Sequence, residues 1–252
     1  MTTVVLLRHG RTSANTSGVL AGRKPGVELD RRGRQQVTVV GQRLAGAPLA
    51  AVVTSPLRRC RQTAHAVLAA RADQVPLHVE QGLVECGYGE WTGRSLKELS
   101  QEKLWPTVQQ QPSAVRFPGG ESMTEMAARS VGAIRRWDSQ LTAERGEHAV
   151  WVAVSHGDVI KAILADALGM HLDSFQRILV DPASVSIVRY TAQRPYVVTV
   201  NSTGVDLAAL LQPPPPPSPA AAPPPGDAPV GGGLGTGADA GPEEPPEQAP
   251  DR

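Results

Sequence analysis

Two histidine–glycine pairs are the residues of this sequence best placed to do chemistry. Arg8-His9-Gly10 follows the apolar run TVVLL, and His156-Gly157 follows the apolar run HAVWVAVS. A neutral imidazole can act as a nucleophile or a hydrogen-bond partner, and a guanidinium group binds oxyanions through paired N–H donors. A lone histidine at a strand end is more often a structural residue than a catalyst. Two such pairs, with an arginine beside one of them, favour chemistry on a bound anion.

A third polar strand end supplies further arginines. The apolar run LAAVVTS ends at Ser55, and SPLRRCRQT then places Arg58 and Arg59 in a helix predicted from about Pro56 to Ala72. In open α/β sheets, ligands bind beyond the carboxyl ends of the strands, where the following helices point free backbone N–H groups at them. If the three strands are parallel neighbours, their polar ends meet in one anion-binding pocket.

The elements that position these groups alternate between strand and helix. Asp30 is a predicted N-cap, and Ser122 and Glu125 have the spacing of a capping box before a helix that runs to about Arg145. The helix VIKAILADAL follows His156, and the β-rich segments ASVSIVRY and PYVVTVNST close the folded region. We therefore predict an α/β fold, a three-layer α/β/α sandwich whose central sheet is mostly parallel with mixed edges.

Composition divides the chain at residue 212. Residues 212–252 hold 14 of the 23 prolines, six acids and one base, and no aromatic residue. Such a segment cannot bury enough apolar surface to offset its ordering entropy, so we predict a folded domain over residues 1–211 and a disordered acidic tail over residues 212–252. Residues 1–211 carry a net charge of about +6. That charge suits small anions, while the lack of basic blocks interleaved with aromatics argues against nucleic acid.

Other kinds of site are disfavoured by spacing. Cys60 and Cys86 lack the paired spacing of a zinc or redox motif. A cysteine-based phosphatase needs an arginine six positions after its cysteine, but Ala66 and Thr92 occupy those positions here. The six histidines are scattered, without the clustering with aspartate that metal-dependent hydrolysis needs. No leader-like segment and no run of 18 apolar residues is present, so we expect a cytoplasmic protein without a membrane partner.

Four motifs in the same order resemble the histidine phosphatase superfamily, also called phosphoglycerate mutase-like. They are RHGRTSAN, SPLRRCRQTA, ECGYGEWTG and VSHGDVI, and FPGGES between the last two also resembles the family. Together they span the predicted domain. The resemblance is to the phosphatase branch, and within it to actinobacterial and mycobacterial members, and it implies the phosphoglycerate mutase-like fold.

The resemblance implies a role for each matching position. His9 corresponds to the nucleophile that becomes phosphohistidine, and Glu85 corresponds to the proton donor, with Glu90 as a nearby rival. The residues that would hold the transferred phosphoryl group are Arg8, Arg59 and His156. The positions that would bind the rest of the substrate are Asn15, Gly22, Arg58 and Gly157. Arg58 and Arg59 are adjacent, and the family spacing favours Arg59 for the phosphoryl contact.

The implied function is a phosphatase that uses neither metal nor cofactor and acts on a small phosphorylated metabolite. A phosphoglycerate mutase is the alternative, but the segment after Glu85 lacks the basic motif of that branch. Trp105 and Phe117 in this segment suggest an apolar part of the pocket lid. A third reading is a phosphate-binding pseudoenzyme whose tail recruits a partner. A homodimer is also expected, and the partner of the tail is unknown.

Overall fold

A six-stranded sheet forms the centre of the protein in a computed structural model that describes residues 2–204. The strands are β1 Thr3–Arg8, β2 Leu49–Thr54, β3 Leu77–Val79, β4 Val150–Ser155, β5 Val185–Tyr190 and β6 Pro195–Ser202. Their order across the sheet is β3-β2-β4-β1-β5-β6. Strands β1 to β4 run parallel, while β5 is antiparallel to β1 and β6 to β5. The mostly parallel sheet with a mixed edge is confirmed, and β3 is an unpredicted addition.

The helices flank the sheet, and two of them begin at capping residues that the sequence predicts. They are α1 Ser13–Thr16, α2 Arg31–Leu44, α3 Arg58–Ala69, α4 Leu96–Leu99, α5 Trp105–Gln110, α6 Met123–Arg145 and α7 Gly157–Ala167. Asp30 caps α2 by accepting from the Gly33 N–H at 2.6 Å, and Ser122 and Glu125 form the capping box of α6. Helix α3 is shorter than predicted. Arg71 lies beyond its end and donates to the carbonyls of Leu44 and Ala47, at the carboxyl end of α2.

The helices pack in two layers, one on each face of the sheet. Successive side chains of a strand point to opposite faces, so every strand of the sheet centre feeds two cores. One core joins strand residues to α2 and α3, and its members include Val5, Leu7, Val52, Val154, Val37 and Val67. The other joins them to α6 and α7, and its members include Val4, Leu6, Val53, Trp151, Ile134 and Ile160. The predicted three-layer α/β/α sandwich is confirmed.

The strand register brings the three polar strand ends to one edge of the sheet. Strand β4 lies between β1 and β2, with Arg8 opposite Ser155 and Thr54 opposite Val154. The segments that follow these strands therefore leave the sheet side by side. This arrangement is the one that the predicted pocket requires.

Two predictions concern residues that the structure does not describe. The tail predicted for residues 212–252 lies outside the described residues, as do residues 205–211 of the predicted domain. Among the helices that the structure describes, none is long and apolar enough to cross a membrane.

Candidate active site

The two histidines lie against each other at the carboxyl edge of the sheet. The His9 N–H donates to the Ser155 carbonyl at 3.0 Å, which fixes the segment after β1 beside the end of β4. The two imidazole centroids are 5.2 Å apart, with the rings edge to face. Both side chains are buried, so the site is built inside the protein rather than on its surface.

His9 presents an unprotonated nitrogen to the site. Its Nδ1 lies 2.8 Å from the Gly10 carbonyl, and since a carbonyl only accepts, Nδ1 carries the proton. Its Nε2 accepts from Arg59 Nε at 3.2 Å. Burial lowers the pKa of His9 well below its usual value, and the charges of Arg59 and Arg8 lower it further. The ring is therefore neutral at physiological pH, as an imidazole nucleophile must be.

His156 is held neutral in the same way. Arg59 Nη2, which can only donate, lies 3.1 Å from Nδ1, so the proton of the ring is on Nε2. This Nε2–H donates to the Ser55 hydroxyl at 2.8 Å. Burial and the Arg59 charge lower the pKa of His156 well below its usual value. Ser55 ends the β2 segment, so the third strand end orients the second histidine.

Two buried guanidinium groups make the site electropositive. Arg59, in the first turn of α3, also donates to the Gly22 carbonyl at 2.8 Å. Arg8, the last residue of β1, donates to the Val180 carbonyl at 2.7 Å. Each of these buried residues is anchored at one nitrogen by a backbone carbonyl. Guanidinium groups fixed in this way stabilise a bound oxyanion without having to reorganise.

Glu85 faces the histidines from the loop after β3. Its Oε1 accepts from the Cys86 N–H at 2.9 Å, and its Oε2 lies 3.8 Å from His156 Nδ1. Burial, and then the negative charge of Asp158, raise the pKa of Glu85 to about 7. Arg23 and Arg129 both donate to the Glu85 carbonyl, at 2.8 Å and 3.1 Å, and so fix its backbone. A large fraction of Glu85 is protonated at neutral pH, so this carboxyl can act as a proton donor.

The structure assembles most of the predicted site residues. It brings together Arg8, His9, Gly22, Arg59, Glu85, His156 and Gly157, of which Gly22 contributes its carbonyl and Gly157 is the first residue of α7. Glu90, the rival to Glu85, is exposed. Asn15 Oδ1 accepts from the N–H and the hydroxyl of Thr12, so its side chain caps α1.

Arg58 points away from the other site residues. Its side chain is 63% exposed and pairs with Glu28 at 3.0 Å, whereas Arg59 is buried. The two neighbours differ because successive helical residues point about 100° apart. The preference for Arg59 agrees with this geometry, since the Arg58 side chain is directed to Glu28 at the surface.

Trp105 and Phe117 belong to the core. Trp91 stacks on Trp105 and meets Phe117 edge to face, and all three are buried. These buried rings therefore form part of the packing that supports the loop carrying Glu85. Cys60 and Cys86 are buried, with free thiols.

Some residues behind the site were missed by the sequence reading. The hydroxyl of Tyr88 donates to Asp158 at 2.8 Å, and Lys161 lies beyond Asp158 in the same buried helix. A signal was present, because Asp158 and Lys161 are the charged residues of an otherwise apolar first part of α7. Within residues 2–204, no cluster of three or more histidine, cysteine or acidic side chains could hold a metal ion.

Comparison with known proteins identifies the family. The model of the histidine phosphatase superfamily (branch 1) matches residues 4–203. The chain belongs to the histidine phosphatase superfamily. A solved structure from Escherichia coli, described as a putative alpha-ribazole-5'-P phosphatase, shares this fold. Its TM-score is 0.69 at 25% identity, and the match covers 80% of this chain and 97% of that one.

Curated relatives within this superfamily carry different activities in their names. A bifunctional protein of Mycobacterium tuberculosis is 34% identical over 81% of this chain and 54% of its own length, so the chain spans about half of that relative. A glucosyl-3-phosphoglycerate phosphatase of Mycolicibacterium vanbaalenii is 31% identical over 68% of this chain and 76% of its own length. A 2,3-bisphosphoglycerate-dependent phosphoglycerate mutase of Gloeobacter violaceus is 32% identical over 66% of this chain and 75% of its own length.

Proposed function

We propose that this histidine phosphatase superfamily member hydrolyses small phosphate monoesters through a phosphohistidine formed on His9, without a metal ion. One observation carries the proposal: His9 Nε2 is unprotonated and lies 3.2 Å from a buried guanidinium group. Glu85, whose pKa is raised to about 7, lies on the same site. A nucleophile, a cation for the transferred group and an acid for the leaving group are the parts that phosphoryl transfer needs.

In the first step, the substrate phosphoryl group takes the place of the Arg59 Nε–H at His9 Nε2, and the freed lone pair of Nε2 attacks phosphorus and forms the P–N bond. The bond from phosphorus to the ester oxygen breaks, and the leaving oxygen takes the proton of Glu85. Charge spread over the equatorial phosphoryl oxygens is stabilised by Arg8 and Arg59. His156, whose Nε2–H is donated to Ser55 and whose Nδ1 accepts from Arg59, holds Arg59 in place. The bond from His9 Nδ1–H to the Gly10 carbonyl stabilises the positive charge that forms on the ring.

In the second step, water attacks phosphorus while the Glu85 carboxylate accepts one of its protons. The P–N bond breaks, its electron pair returns to Nε2, and inorganic phosphate leaves. His9 is again neutral and Glu85 is again protonated, so the cycle closes on the starting enzyme. The backbone N–H of Gly157, at the start of α7, adds a positive helix end on this side of the site.

A phosphatase fits the segment after Glu85 better than a mutase does. A mutase needs cations that grip a substrate carboxylate while the phosphohistidine waits for a second hydroxyl. Arg94 pairs with Glu102 at 2.7 Å, and Arg116 is likewise bound to Glu125. These side chains are partly or largely exposed, so two of the arginines in this segment are occupied by acids at the surface.

The pseudoenzyme reading fits the site less well. A pocket that only binds phosphate has no need for a group that gives up its proton to a leaving oxygen. Glu85 is nonetheless buried, with its backbone fixed by Arg23 and Arg129. A homodimer, a partner for residues 212–252 and a cytoplasmic location remain predictions.

The test measures two activities side by side. The first is release of inorganic phosphate from a panel of phosphate esters in the presence of a chelator, and the second is isomerisation of 3-phosphoglycerate with and without 2,3-bisphosphoglycerate. We expect phosphate release from some panel members without isomerisation. Isomerisation faster than hydrolysis would establish the mutase instead. Absence of both activities would leave phosphate binding as the function of the pocket.

A further inference from the structure

A second set of buried ionisable groups lies behind Glu85. Asp158, in the first turn of α7, is fully buried and accepts from the Tyr88 hydroxyl at 2.8 Å. Lys161, one helical turn later, is also buried, with its Nζ 3.9 Å from Asp158 Oδ1 and 2.8 Å from Gln176 Oε1. The two catalytic steps proposed above assign no task to this set, which we call the Asp158 cluster (Tyr88, Asp158, Lys161 and Gln176).

The Asp158 cluster is costly to build into a helix core. Moving a carboxylate and an ammonium group out of water costs several kcal/mol per ion, and their mutual attraction regains only part of that cost. The neighbouring positions of α7, such as Val159 and Ile160, are apolar and buried. An apolar residue at 158 would therefore suit the core, so the carboxylate calls for a role beyond packing.

The contacts of the cluster connect the two segments that carry the proton donor and the second histidine. Tyr88 is three residues after Glu85 in the same loop, and Asp158 is two residues after His156. The hydrogen bond between Tyr88 and Asp158 thus ties the Glu85 loop to the first turn of α7. Glu85 Oε2 lies 3.8 Å from His156 Nδ1 across this junction.

We propose that Asp158 is a positioning residue for the proton donor: its bond to Tyr88 holds the Glu85 loop against the first turn of α7, and its carboxylate, paired with Lys161, places a negative charge behind Glu85. The inference rests on the proposed phosphatase function and deepens it. Asp158 touches neither the attacking nitrogen nor the phosphoryl group, and it acts through Glu85.

The charges around Glu85 support this role. Burial is the main cause of its raised pKa and the Asp158 carboxylate is the next, while Arg59 and Arg8 oppose them. His156 faces Glu85 from α7, but it is neutral because its own pKa is lowered. Apart from burial, the Asp158 charge therefore favours protonated Glu85 and opposes the effect of Arg59 and Arg8.

The charges around Asp158 set the direction of each test. Arg8 and Lys161 face Asp158 as cations, and Tyr88 faces it as a neutral donor, because burial and the Asp158 charge raise the pKa of Tyr88 well above its usual value. Burial lowers the pKa of Lys161, and Asp158 opposes that effect. Removing Asp158 therefore favours the Glu85 carboxylate, whereas removing Lys161 favours the protonated acid.

These opposite effects appear in the pH profile of kcat/KM for an alkyl phosphate. The chemical step needs protonated Glu85, so activity falls as the pH rises through the Glu85 pKa, and this fall reports on the free enzyme. Asp158→Asn keeps an acceptor for Tyr88 and removes the charge, so the fall moves to lower pH by about one unit. Lys161→Met moves it to higher pH. A purely structural defect gives no reason for shifts of opposite sign.

A second aspartate on α7, far from the site, provides the matched control. Asp166 lies on the same helix and pairs with Arg135 at 3.0 Å on the surface, far along α7 from the site. Asp166→Asn changes the net charge as Asp158→Asn does, and we expect its pH profile to overlay that of the unmodified protein. p-Nitrophenyl phosphate is the second control, because its leaving group needs little protonation and its profile should lack the fall.

An infrared titration gives a readout besides activity. We expect the carboxyl band that disappears in Glu85→Gln to titrate near pH 7 in the unmodified protein and at lower pH in Asp158→Asn. Thermal unfolding identifies any variant that does not fold, and if Lys161→Met fails in this way, Asp158→Asn and Tyr88→Phe still decide the matter. Tyr88→Phe is expected to reduce turnover of alkyl phosphates more than that of p-nitrophenyl phosphate.

Two outcomes would overturn different claims. If Asp158→Asn is folded and its profile and carboxyl band match those of the unmodified protein, the positioning role is wrong while the phosphatase function stands. If Glu85→Gln hydrolyses alkyl phosphates as fast as the unmodified protein does, the proton-donor assignment itself fails. If Asp158→Asn and Lys161→Met move the fall in kcat/KM in the same direction, the inference is also contradicted.

Discussion

At the scale of single residues, the state of His9 decides whether this site can do covalent chemistry. A histidine beside two guanidinium groups cannot readily become positive, so burial, Arg59 and Arg8 all act to keep it neutral. The Gly10 carbonyl then fixes which nitrogen is free. The cations that we propose to bind the phosphoryl group therefore also keep the proposed nucleophile neutral before substrate arrives.

His9→Ala should remove turnover because it deletes the ring nitrogen that is proposed to form the P–N bond. We expect a loss on the order of 10³-fold or more in kcat, with a cooperative thermal transition within about 5 °C of that of the unmodified protein at pH 7.5. His65→Ala is the matched control, since His65 is exposed on α3. Acid-labile phosphate trapped on the protein in the unmodified protein, but not in His9→Ala, would show the intermediate. Retained turnover would disprove the nucleophile assignment.

The adjacent arginines provide a comparison that isolates one contact. Arg59→Ala removes the donor to both histidines and should reduce kcat/KM by about 100-fold or more. Arg58→Ala removes only a surface pair with Glu28 and should change kcat/KM by less than about threefold. Steady-state kinetics on one ester measures both. Equal losses in the two variants would mean that Arg58 reaches the substrate.

The roles of these two arginines were partly predictable from the sequence. Arg59 lies four and eight residues before Thr63 and Val67, which are buried on the same helical face, so the periodicity of α3 indicates that Arg59 faces inward. The sequence could not show that Arg58 pairs with Glu28. That contact joins a helix to a loop about thirty residues away, and only the folded chain brings the two together.

At the scale of elements, close backbone contacts hold the segment after β1 against α2. A Cβ on Gly33 would lie 2.0 Å from the Arg11 carbonyl oxygen, and a Cβ on Gly10 would lie 2.6 Å from the Gly33 carbonyl oxygen. Helix α2 can approach the His9 segment this closely because these glycines carry no side chain. The helix thus presses directly on the backbone that holds the nucleophile.

Gly33→Ala tests this contact. Alanine is favoured over glycine inside a helix by about 1 kcal/mol, but relief of the overlap requires backbone movement that costs about 1–3 kcal/mol or more. We expect a net loss of stability and a lower kcat, measured by thermal unfolding and ester hydrolysis. Gly46→Ala is the control, because a Cβ there has no neighbour within 4 Å. A more stable, fully active Gly33→Ala would contradict the close-contact argument.

Elements with a clear period or cap were predictable, and the others were not. The apolar runs of β1, β2 and β4 and the caps Asp30 and Ser122 all occur where predicted. Strand β3, only Leu77–Val79, is too short to show alternation. The stretch between Glu85 and Phe117 folds as short helices and turns around stacked aromatic rings, an arrangement set by tertiary packing rather than by local pattern.

At the scale of the whole molecule, the two buried histidines and Glu85 have opposite effects on how the free energy of unfolding changes with pH. His9 and His156 have lowered pKa values, so the unfolded chain binds more protons than the folded one below about pH 6.5, and stability is lost as the pH falls. Glu85 has its pKa raised to about 7, so the folded chain binds its proton more tightly and stability is lost as the pH rises from about 4.5. Between pH 5 and 6.5, two groups act against one.

The balance predicts how three proteins differ in that window. The free energy of unfolding of the unmodified protein should rise by about 1–2 kcal/mol from pH 5 to 6.5, because the two histidines outweigh Glu85. Glu85→Gln removes the opposing group and should steepen the rise to about 3 kcal/mol. His9→Ala leaves one histidine against Glu85 and should give a nearly flat curve.

Urea unfolding at constant ionic strength measures all three curves, and the range from pH 5 to 6.5 isolates the histidines and Glu85. The other described acids with lowered pKa values, such as Glu121 and Asp173, titrate below it because their folded forms hold the charge. The exposed His65 is a control, since His65→Ala should leave the rise intact. Three parallel curves would mean that the pKa values of these buried groups do not differ between the folded and unfolded states. The claims that His9 is held neutral and that Glu85 is held protonated would then both be wrong.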